Sequence, residues 1–214
     1  MADNYLEKRY EETLGSQKPK VKRIGHTVDE LLLKTRSTRG YKKAYVVSRA
    51  ELERIASVCT KVPSACNQQV LRLWLVTRDS GAERVLPLIK MGAALPELHL
   101  PFPGTEPEAF IVVCSTTDEK PMVDIDLGIA AQSMLLKATE MGLSGLIIAA
   151  FNRAKLQETL SLPCQPLLVI AIGKGDERIE LTPIDPGESH AYYRKDGVHY
   201  VPKLRLKDLI INHA

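Results

Sequence analysis

The amino-acid sequence predicts a single α+β domain in which a sheet lies between helices. Three features predict it: capping boxes that open amphipathic helices, short apolar runs typical of buried strands, and one long apolar helix. At 214 residues, of which 44% are hydrophobic, the chain is long enough for one sizeable domain. It has no internal repeat and no low-complexity linker. We therefore divide it into a polar N-terminal extension, residues 1–26, and one domain, residues 27–214.

The extension carries an apolar residue at every fourth position, Leu6, Tyr10 and Leu14, and Gly15 follows. This spacing places the three side chains on one stripe of a short helix that ends at the glycine. Such a stripe needs a surface on which to pack.

Two capping boxes mark the first helices of the domain. In Thr27-x-x-Glu30 and in Ser48-x-x-Glu51, both side chains can bond backbone amides that a helix N-terminus leaves without partners. The second box precedes apolar residues that share one helical face: Leu52, Ile55, Ala56 and Cys59. Pro63 ends that helix. We expect a helix to start at each box.

Four apolar runs, rich in branched side chains, predict strands that are largely buried. The runs are Leu71–Thr77, Ala109–Cys114, Leu146–Ala149 and Leu167–Ile172. Near the C-terminus, the Asp196-Gly197 turn separates Tyr192 and Tyr193 from Val198–Val201, which predicts a hairpin.

Three further helices are predicted between these strands. Residues 79–108 have no clean periodicity, and we assign a short helix over Val85–Met91. The run Asp126–Met141 is apolar on nearly all sides, as in a helix buried on several faces, and Gly142 suits its C-terminal cap. Asn152 caps a helix that continues to Leu160.

Charge and cysteine usage exclude several classes of protein. The 29 basic and 26 acidic residues are spread along the chain, so the net charge of +3 does not predict a nucleic-acid surface. The N-terminus is too charged for a signal peptide, and no stretch reaches the roughly 18 apolar residues of a membrane helix. The four cysteines are irregularly spaced, which favours free thiols over zinc or disulfides. We expect a cytoplasmic protein.

Common catalytic and nucleotide-binding motifs are missing. The sequence has no G-x-S-x-G, no G-x-G-x-x-G and no G-x-x-x-x-G-K. The histidines lack the helical pairing of a metal site, and we expect solvated surface side chains at His26, His99, His190, His199 and His213. Any phosphate group must therefore be held by side chains.

Three segments carry residues suited to a planar, phosphorylated ligand. Thr35–Arg39 places two guanidinium groups beside hydroxyls that can donate to phosphate oxygens. Pro63–Gln69 combines small residues, which admit a planar ligand, with amides that can bond the edge of a heterocycle. Lys203–Arg205 directs two cations to one side if it is extended. Each segment also has a simpler interpretation, respectively a charged helix end, a turn before a strand and a solvated tail.

The order of these segments resembles the FMN-dependent nitroreductase family over residues 28–211. LLKTRSTRGY is similar to the family's Arg-x-Ser-x-Arg/Lys motif, KVPSACNQQ to its Pro-Ser-x-x-Asn-x-Gln motif, and VPKLRLKDLI to its closing Lys-x-Arg segment. MVDIDLGIAAQSMLLKATEMGLSGLIIAAF resembles its long helix and the strand after it. The resemblance implies a three-layer sandwich, a central mixed sheet flanked by helices. It also implies a homodimer with exchanged terminal segments, on which the extension packs.

The resemblance further implies which residues hold FMN. The residues around its phosphate and ribityl groups are Arg36, Ser37, Arg39, Lys203 and Arg205. The residues that border the flavin from the partner subunit are Pro63, Ser64, Ala65, Asn67 and Gln69. A strand end, formed by Ile148, Ala149 and Ala150, directs a backbone amide at the ring nitrogen that accepts hydride. No catalytic side chain and no metal are implied.

The sequence departs from the family pattern at three places. Thr35 stands where many members have arginine, so one phosphate contact is missing or has moved to Arg36. Gln69 is followed by Val-Leu where Pro-Trp is usual, which changes one wall of the flavin site. The pair Ala149-Ala150 replaces a pair that often includes glycine or glutamate.

The function implied is an oxidoreductase in which NADH or NADPH reduces FMN and a nitroaromatic, quinone or related electron-poor acceptor then oxidises it. Cofactor chemistry of this kind needs no catalytic triad. Two alternatives remain open from the residues: a non-enzymatic protein that binds or stores flavin, and a specialised flavin-fragmenting or dehalogenating enzyme of the same fold. Neither nucleic acid nor a membrane is expected as a partner.

Overall fold

A four-stranded antiparallel sheet forms the centre of the fold in a computed structural model that describes residues 25–92 and 95–212. The strands are β1 (Leu71–Val76), β2 (Phe110–Ser115), β3 (Ser144–Ile148) and β4 (Gln165–Gly173), in the order β1-β2-β4-β3. All four predicted strands are confirmed. The helical stripe predicted at Leu6, Tyr10 and Leu14 lies outside the described residues.

Helices cover both faces of this sheet and make three layers. They are α1 (Val28–Lys34), α2 (Arg49–Ala56), α3 (Ala82–Val85), α4 (Pro121–Glu140) and α5 (Arg153–Leu160). Because strand side chains alternate, Ile111 and Val113 of β2 pack with α2 and α4, whereas Phe110 and Val112 pack with α3 and α5. Every residue of β2 is therefore buried. None of the helices in the described ranges is both long and apolar enough to cross a membrane.

The central sheet differs in one respect from the expected mixed sheet. All pairings among its four strands are antiparallel, and parallel pairing at its edge is limited to one bridge, between Ser37 and Gly145. A single bridge is too short to count as a strand. It nevertheless fixes the segment that follows α1 against β3.

A second sheet of three strands follows the first in the chain. It contains β5 (Arg178–Ile184), β6 (Tyr193–Lys195) and β7 (Val198–Leu204), in the order β5-β7-β6, and β5 is parallel to β7. The predicted hairpin is β6-β7, whose turn has positive φ at Asp196 and Gly197 (50° and 76°), as a type I′ turn requires. Sequence analysis missed β5, because this edge strand is half exposed and contains Pro183. A short helix, α6 (Leu206–Leu209), follows β7.

Two helices begin earlier than predicted. The helix expected over Val85–Met91 is wrong over most of that range: α3 covers Ala82–Val85, a 3-10 turn with Pro87 follows over Leu86–Leu88, and residues 89–91 are not helical, because proline cannot continue an α-helix. The helix expected from Asp126 begins at Pro121, since a proline suits the first helical position, where no amide partner is needed.

Most helix ends predicted from single residues are confirmed, but the helix expected to reach Pro63 ends at Ala56 and continues only as a 3-10 turn over Ser57–Thr60. Both capping boxes form, with Thr27 and Ser48 as N-caps. The Asn152 side chain accepts from the backbone N–H of Lys155. Gly142 follows α4 with a φ of 76°, the left-handed conformation that favours glycine at this place.

The two capping boxes differ in how much of the core depends on them. The helix that Ser48 caps buries Leu52 and Ile55, whereas the helix that Thr27 caps buries no residue. We expect Ser48→Ala to lower the free energy of unfolding by about 1 kcal/mol. The matched change Thr27→Ala should lower it much less, because α1 can fray without opening the core. Urea denaturation followed by circular dichroism measures both, and equal losses would contradict the expectation.

Candidate functional site

A cavity of about 250 Å³ lies between the segment after α1 and strand β7. The residues that line it are Thr35, Arg36, Ser37, Arg39, Tyr192, His199, Val201 and Lys203. Side chains at every second position of β7 face the same side, which brings His199, Val201 and Lys203 to the cavity together. Two segments more than a hundred residues apart in sequence therefore form one site, and four of the predicted ligands line it.

The backbone of β3 holds the N-terminal side of this cavity. The backbone N–H of Thr38 donates to the carbonyl of Gly145 at 3.1 Å, next to the bridge between Ser37 and Gly145. The Tyr41 hydroxyl, which is buried, donates to the Thr38 carbonyl at 2.7 Å. These bonds fix the backbone from which Arg36 and Arg39 extend.

The cationic side chains of the cavity lack carboxylate partners. Among the described residues, Arg36, Arg39 and Lys203 take part in no ion pair. Arg36 Nη2 donates to the Leu32 carbonyl and Arg39 Nη1 to the Ser37 carbonyl, but the Nε atoms of both arginines are buried without a partner. Burial lowers the pKa of Arg36. Such unsatisfied donors make the cavity favourable for an anion.

A buried carboxylate beside this site already has hydrogen-bond and ion-pair partners. Glu177 accepts from the backbone N–H of Arg39 and forms an ion pair with Arg194 of β6. Its charge is therefore matched by Arg194, and the guanidinium of Arg39 stays available. Arg39 lies over the ring of Tyr192 at 4.7 Å from the centroid, which orients the guanidinium without neutralising it.

Arg205 is placed differently from Lys203. It follows the end of β7, is half exposed and forms an ion pair with Asp185. It is not among the residues that line the cavity. Its predicted contact with phosphate stays a prediction, and it requires Arg205 to leave Asp185.

A second cavity, of about 420 Å³, is lined by the loop 63–69 together with parts of α2, β1 and α4. The loop contains three residues other than glycine with positive φ, namely Cys66, Asn67 and Gln69. Asp126 of α4, only 5% exposed, accepts from the backbone N–H of Ala65 at 2.9 Å. This buried carboxylate therefore secures a strained loop, and such loops are common at ligand sites.

The predicted strand end lies at the open edge of β3. The N–H of Thr38 bonds Gly145 on the side away from β4, and backbone groups alternate along a strand, so those of Ile147 point to the same edge. β3 ends at Ile148, and Ala149 is the next residue. The carbonyl of Ala150 accepts from the N–H of Lys90 at 2.8 Å. The contact of this strand end with a ligand stays a prediction.

The predicted site residues fall into separate groups within one chain. Ala149 lies four residues beyond Gly145, about 13 Å along the strand from the cationic cavity. Pro63, Ser64, Asn67 and Gln69 line the second cavity, which shares no lining residue with the first. Their contribution to a partner's flavin site therefore stays a prediction.

Sequence reasoning missed three polar residues at these sites. His199, expected as a solvated side chain, is 2% exposed because it lies on the middle strand of the second sheet, and that expectation is wrong. Glu177 and Asp126 are also buried. Two signals were available: His199 is four residues before Lys203 on an alternating strand, and Asp126 is a charge within an apolar helix.

The described residues fit a phosphate monoester better than a metal ion. No group of three or more His, Cys, Asp or Glu side chains within residues 25–92 and 95–212 could hold a metal. By contrast, two guanidinium groups and one ammonium group meet at a cavity that also includes Ser37. A phosphate dianion would match the positive charge of these three groups.

Comparison with known proteins gives a consistent result. A family model described as "Nitroreductase family" matches residues 32–98 and 97–174. Solved structures with this fold include a nitroreductase family protein from Clostridium novyi NT, with 23% identity, coverage of 70% of this chain and 87% of that chain, and a TM-score of 0.57.

Two further structures extend the comparison. A nitroreductase family protein from Streptococcus pneumoniae TIGR4 has 18% identity, covers 87% of this chain and 100% of that chain, and has a TM-score of 0.62. A variant of the FMN and NADPH-dependent nitroreductase NfnB from sphigopyxis sp. strain HMH has 21% identity, coverages of 71% and 89%, and a TM-score of 0.56. No curated protein sequence matches this chain.

The contact between Asp126 and Ala65 can be tested by mutation. Asp126→Ala leaves the Ala65 N–H without its acceptor, and we expect the free energy of unfolding to fall by about 1–3 kcal/mol. Asp126→Asn keeps an acceptor oxygen and should recover most of the loss. Asp124→Ala, two residues nearer the helix start and exposed, is the control and should change little. Equal effects of Asp126→Ala and Asp124→Ala in urea denaturation would contradict this role.

Proposed function

The chain belongs to the nitroreductase family, and we propose that this oxidoreductase uses bound FMN to pass reducing equivalents from NADH or NADPH to an electron-poor acceptor. Nitroaromatic compounds and quinones are the acceptor classes proposed. The observation that carries the proposal is the cavity in which Arg36, Arg39 and Lys203 meet without carboxylate partners.

The cationic cavity is proposed to hold the FMN phosphate. Arg36, Arg39 and Lys203 supply positive charge, and Ser37 supplies a hydroxyl beside them. Each charge-assisted hydrogen bond contributes about 1.5–3 kcal/mol, so loss of one cation should be measurable. Neither a Gly-rich loop nor a dinucleotide fingerprint is present in the sequence, which favours a terminal monophosphate.

The open edge of β3 is proposed to orient the flavin ring. Bound flavin would supply the ability to accept and donate hydride. The chain's own task is then to bind and to orient, and the N–H of Ala149, which directly follows β3, is proposed to face the ring. No side-chain acid or base is required for this role, in agreement with a site made of binding residues.

We also propose a homodimer whose partner contributes the loop 63–69 to each flavin site. Two exposed apolar surfaces support a partner chain. Met122 and Ile125 of α4 are 53% and 52% exposed, and Ile211 of the tail is 96% exposed. A partner chain would cover these exposed apolar side chains. The cytoplasmic location expected from the sequence remains part of the proposal.

The proposal is tested on the purified protein. We expect a yellow protein that releases FMN on denaturation and oxidises NADH or NADPH when a quinone such as menadione, or a nitroaromatic compound, is present. A protein that binds no added FMN would contradict the proposal. Tight FMN binding without nicotinamide oxidation would replace it by the alternative of a flavin-storage protein.

Lys203 offers a second test with matched controls in the same tail. Because Lys203 lines the cavity, Lys203→Gln should weaken FMN binding roughly tenfold or more. Lys207→Gln removes an exposed charge outside the cavity and should leave the dissociation constant unchanged. Fluorescence quenching of FMN by the apo proteins gives the dissociation constants.

The same titration decides the role of Arg205. If Arg205 stays paired with Asp185, Arg205→Gln should bind FMN like the wild type; if it turns to the phosphate, the affinity should fall as for Lys203→Gln. Equal affinities of Lys203→Gln and the wild type would contradict the proposed phosphate site.

A further inference from the structure

His199 is the one histidine of the described residues that is buried, and it lies at the cationic cavity. It occupies the middle strand of the second sheet, opposite Ile179 of β5 and Arg194 of β6. Lys203 is the fourth residue after it on the same strand, so both side chains face the same side. Its ring therefore forms part of the wall on which Lys203 also lies.

The ring packs against an aromatic neighbour, and one of its nitrogens lacks a partner. Tyr192 lies against it, with 5.0 Å between ring centroids, and Arg39 lies over the Tyr192 ring at 4.7 Å from the centroid. Nδ1 is buried without a hydrogen-bond partner. A buried imidazole normally bonds through at least one nitrogen, so this ring lacks a partner that a ligand can supply.

The charged groups around His199 are two arginines and one glutamate. Burial has the largest effect on the pKa of His199 and lowers it. The nearby Arg39 and Arg194 lower this pKa further, whereas Glu177 raises it by a smaller amount. The ring is therefore neutral near pH 7 in this structure, with one nitrogen that donates and one that accepts. A neutral imidazole can donate a hydrogen bond to an anion without adding a positive charge that Arg39 and Arg194 would repel.

We infer that His199 is a further ligand of the phosphate in the proposed flavin site, donating a hydrogen bond from its ring to a phosphate oxygen beside Lys203 and Arg39. This inference rests on the proposed function. None of the motifs in the sequence assigns a role to this residue. A purely structural role, in which His199 only fills space between Tyr192 and β5, makes a different prediction about flavins that lack phosphate.

The test compares FMN with riboflavin, which lacks the phosphate group. His199→Phe keeps an aromatic ring against Tyr192 but removes both nitrogens, and His199→Gln keeps a hydrogen-bond donor. His190→Gln changes an exposed histidine nine residues earlier and serves as the control. For each apo protein, quenching of flavin fluorescence gives the dissociation constants for FMN and for riboflavin.

We expect His199→Phe to weaken FMN binding about tenfold while riboflavin binding stays unchanged. His199→Gln should keep part of the preference for FMN, and His190→Gln should keep all of it. Unchanged riboflavin binding also shows that the variant is folded. If His199→Phe does not fold, the ratio of the two dissociation constants in His199→Gln decides, because a space-filling residue would leave the wild-type ratio.

The outcomes separate this inference from the proposed function. Equal weakening of FMN and riboflavin, or no weakening of either, overturns the role of His199 and leaves the proposed function standing. A wild-type protein that binds neither flavin overturns the proposed function itself. A wild type that binds both flavins equally overturns the phosphate site, and with it the role of His199.

Discussion

The backbone contact between residues 37–38 and Gly145 is the constraint on which the candidate site depends. The residue of β3 at this contact is a glycine for a separate reason: a Cβ at Gly145 would come within 2.5 Å of Leu135 Cδ2 and 2.8 Å of the Ala171 carbonyl oxygen. Glycine at this position lets α4 and β4 pack closely while β3 accepts the N–H of Thr38. The segment with Arg36 and Arg39 is thereby held at the end of the core, and the second sheet completes the cavity from the other side.

Beyond the single bridge between Ser37 and Gly145, one edge of β3 is open. Beyond Gly145, no described strand pairs with β3 on this side, so the backbone groups of Ile147 remain at an edge. An unpaired edge in a globular protein is usually covered or blunted. Here it continues from the cationic cavity, and a ligand with a charged group at one end and a planar, hydrogen-bonding ring at the other would match both features.

The sequence predicts those parts of the fold that local patterns determine. The capping boxes, Gly142 and the Asp196-Gly197 turn satisfy local backbone geometry, and each was predicted correctly. Strand β5 was not predicted, because its pairing with β7 is long-range and its own residues are half exposed. The meeting of Arg39 with Lys203 also depends on that pairing. No local pattern predicts it, and only the resemblance to a family suggested that the two segments share a site.

The distribution of unsatisfied polar atoms supports a ligand at this place more strongly than the charge count does. Buried side-chain atoms without a partner, among the described residues, include Arg36 Nε, Arg39 Nε, Arg194 Nε and His199 Nδ1. A buried polar group left unbonded costs about 1–3 kcal/mol, and marginal stability makes several such costs in one region hard to sustain for folding alone. Three of these residues line the cationic cavity, and the fourth, Arg194, contacts it through Glu177. This concentration of open donors around one cavity supports the anion site proposed there.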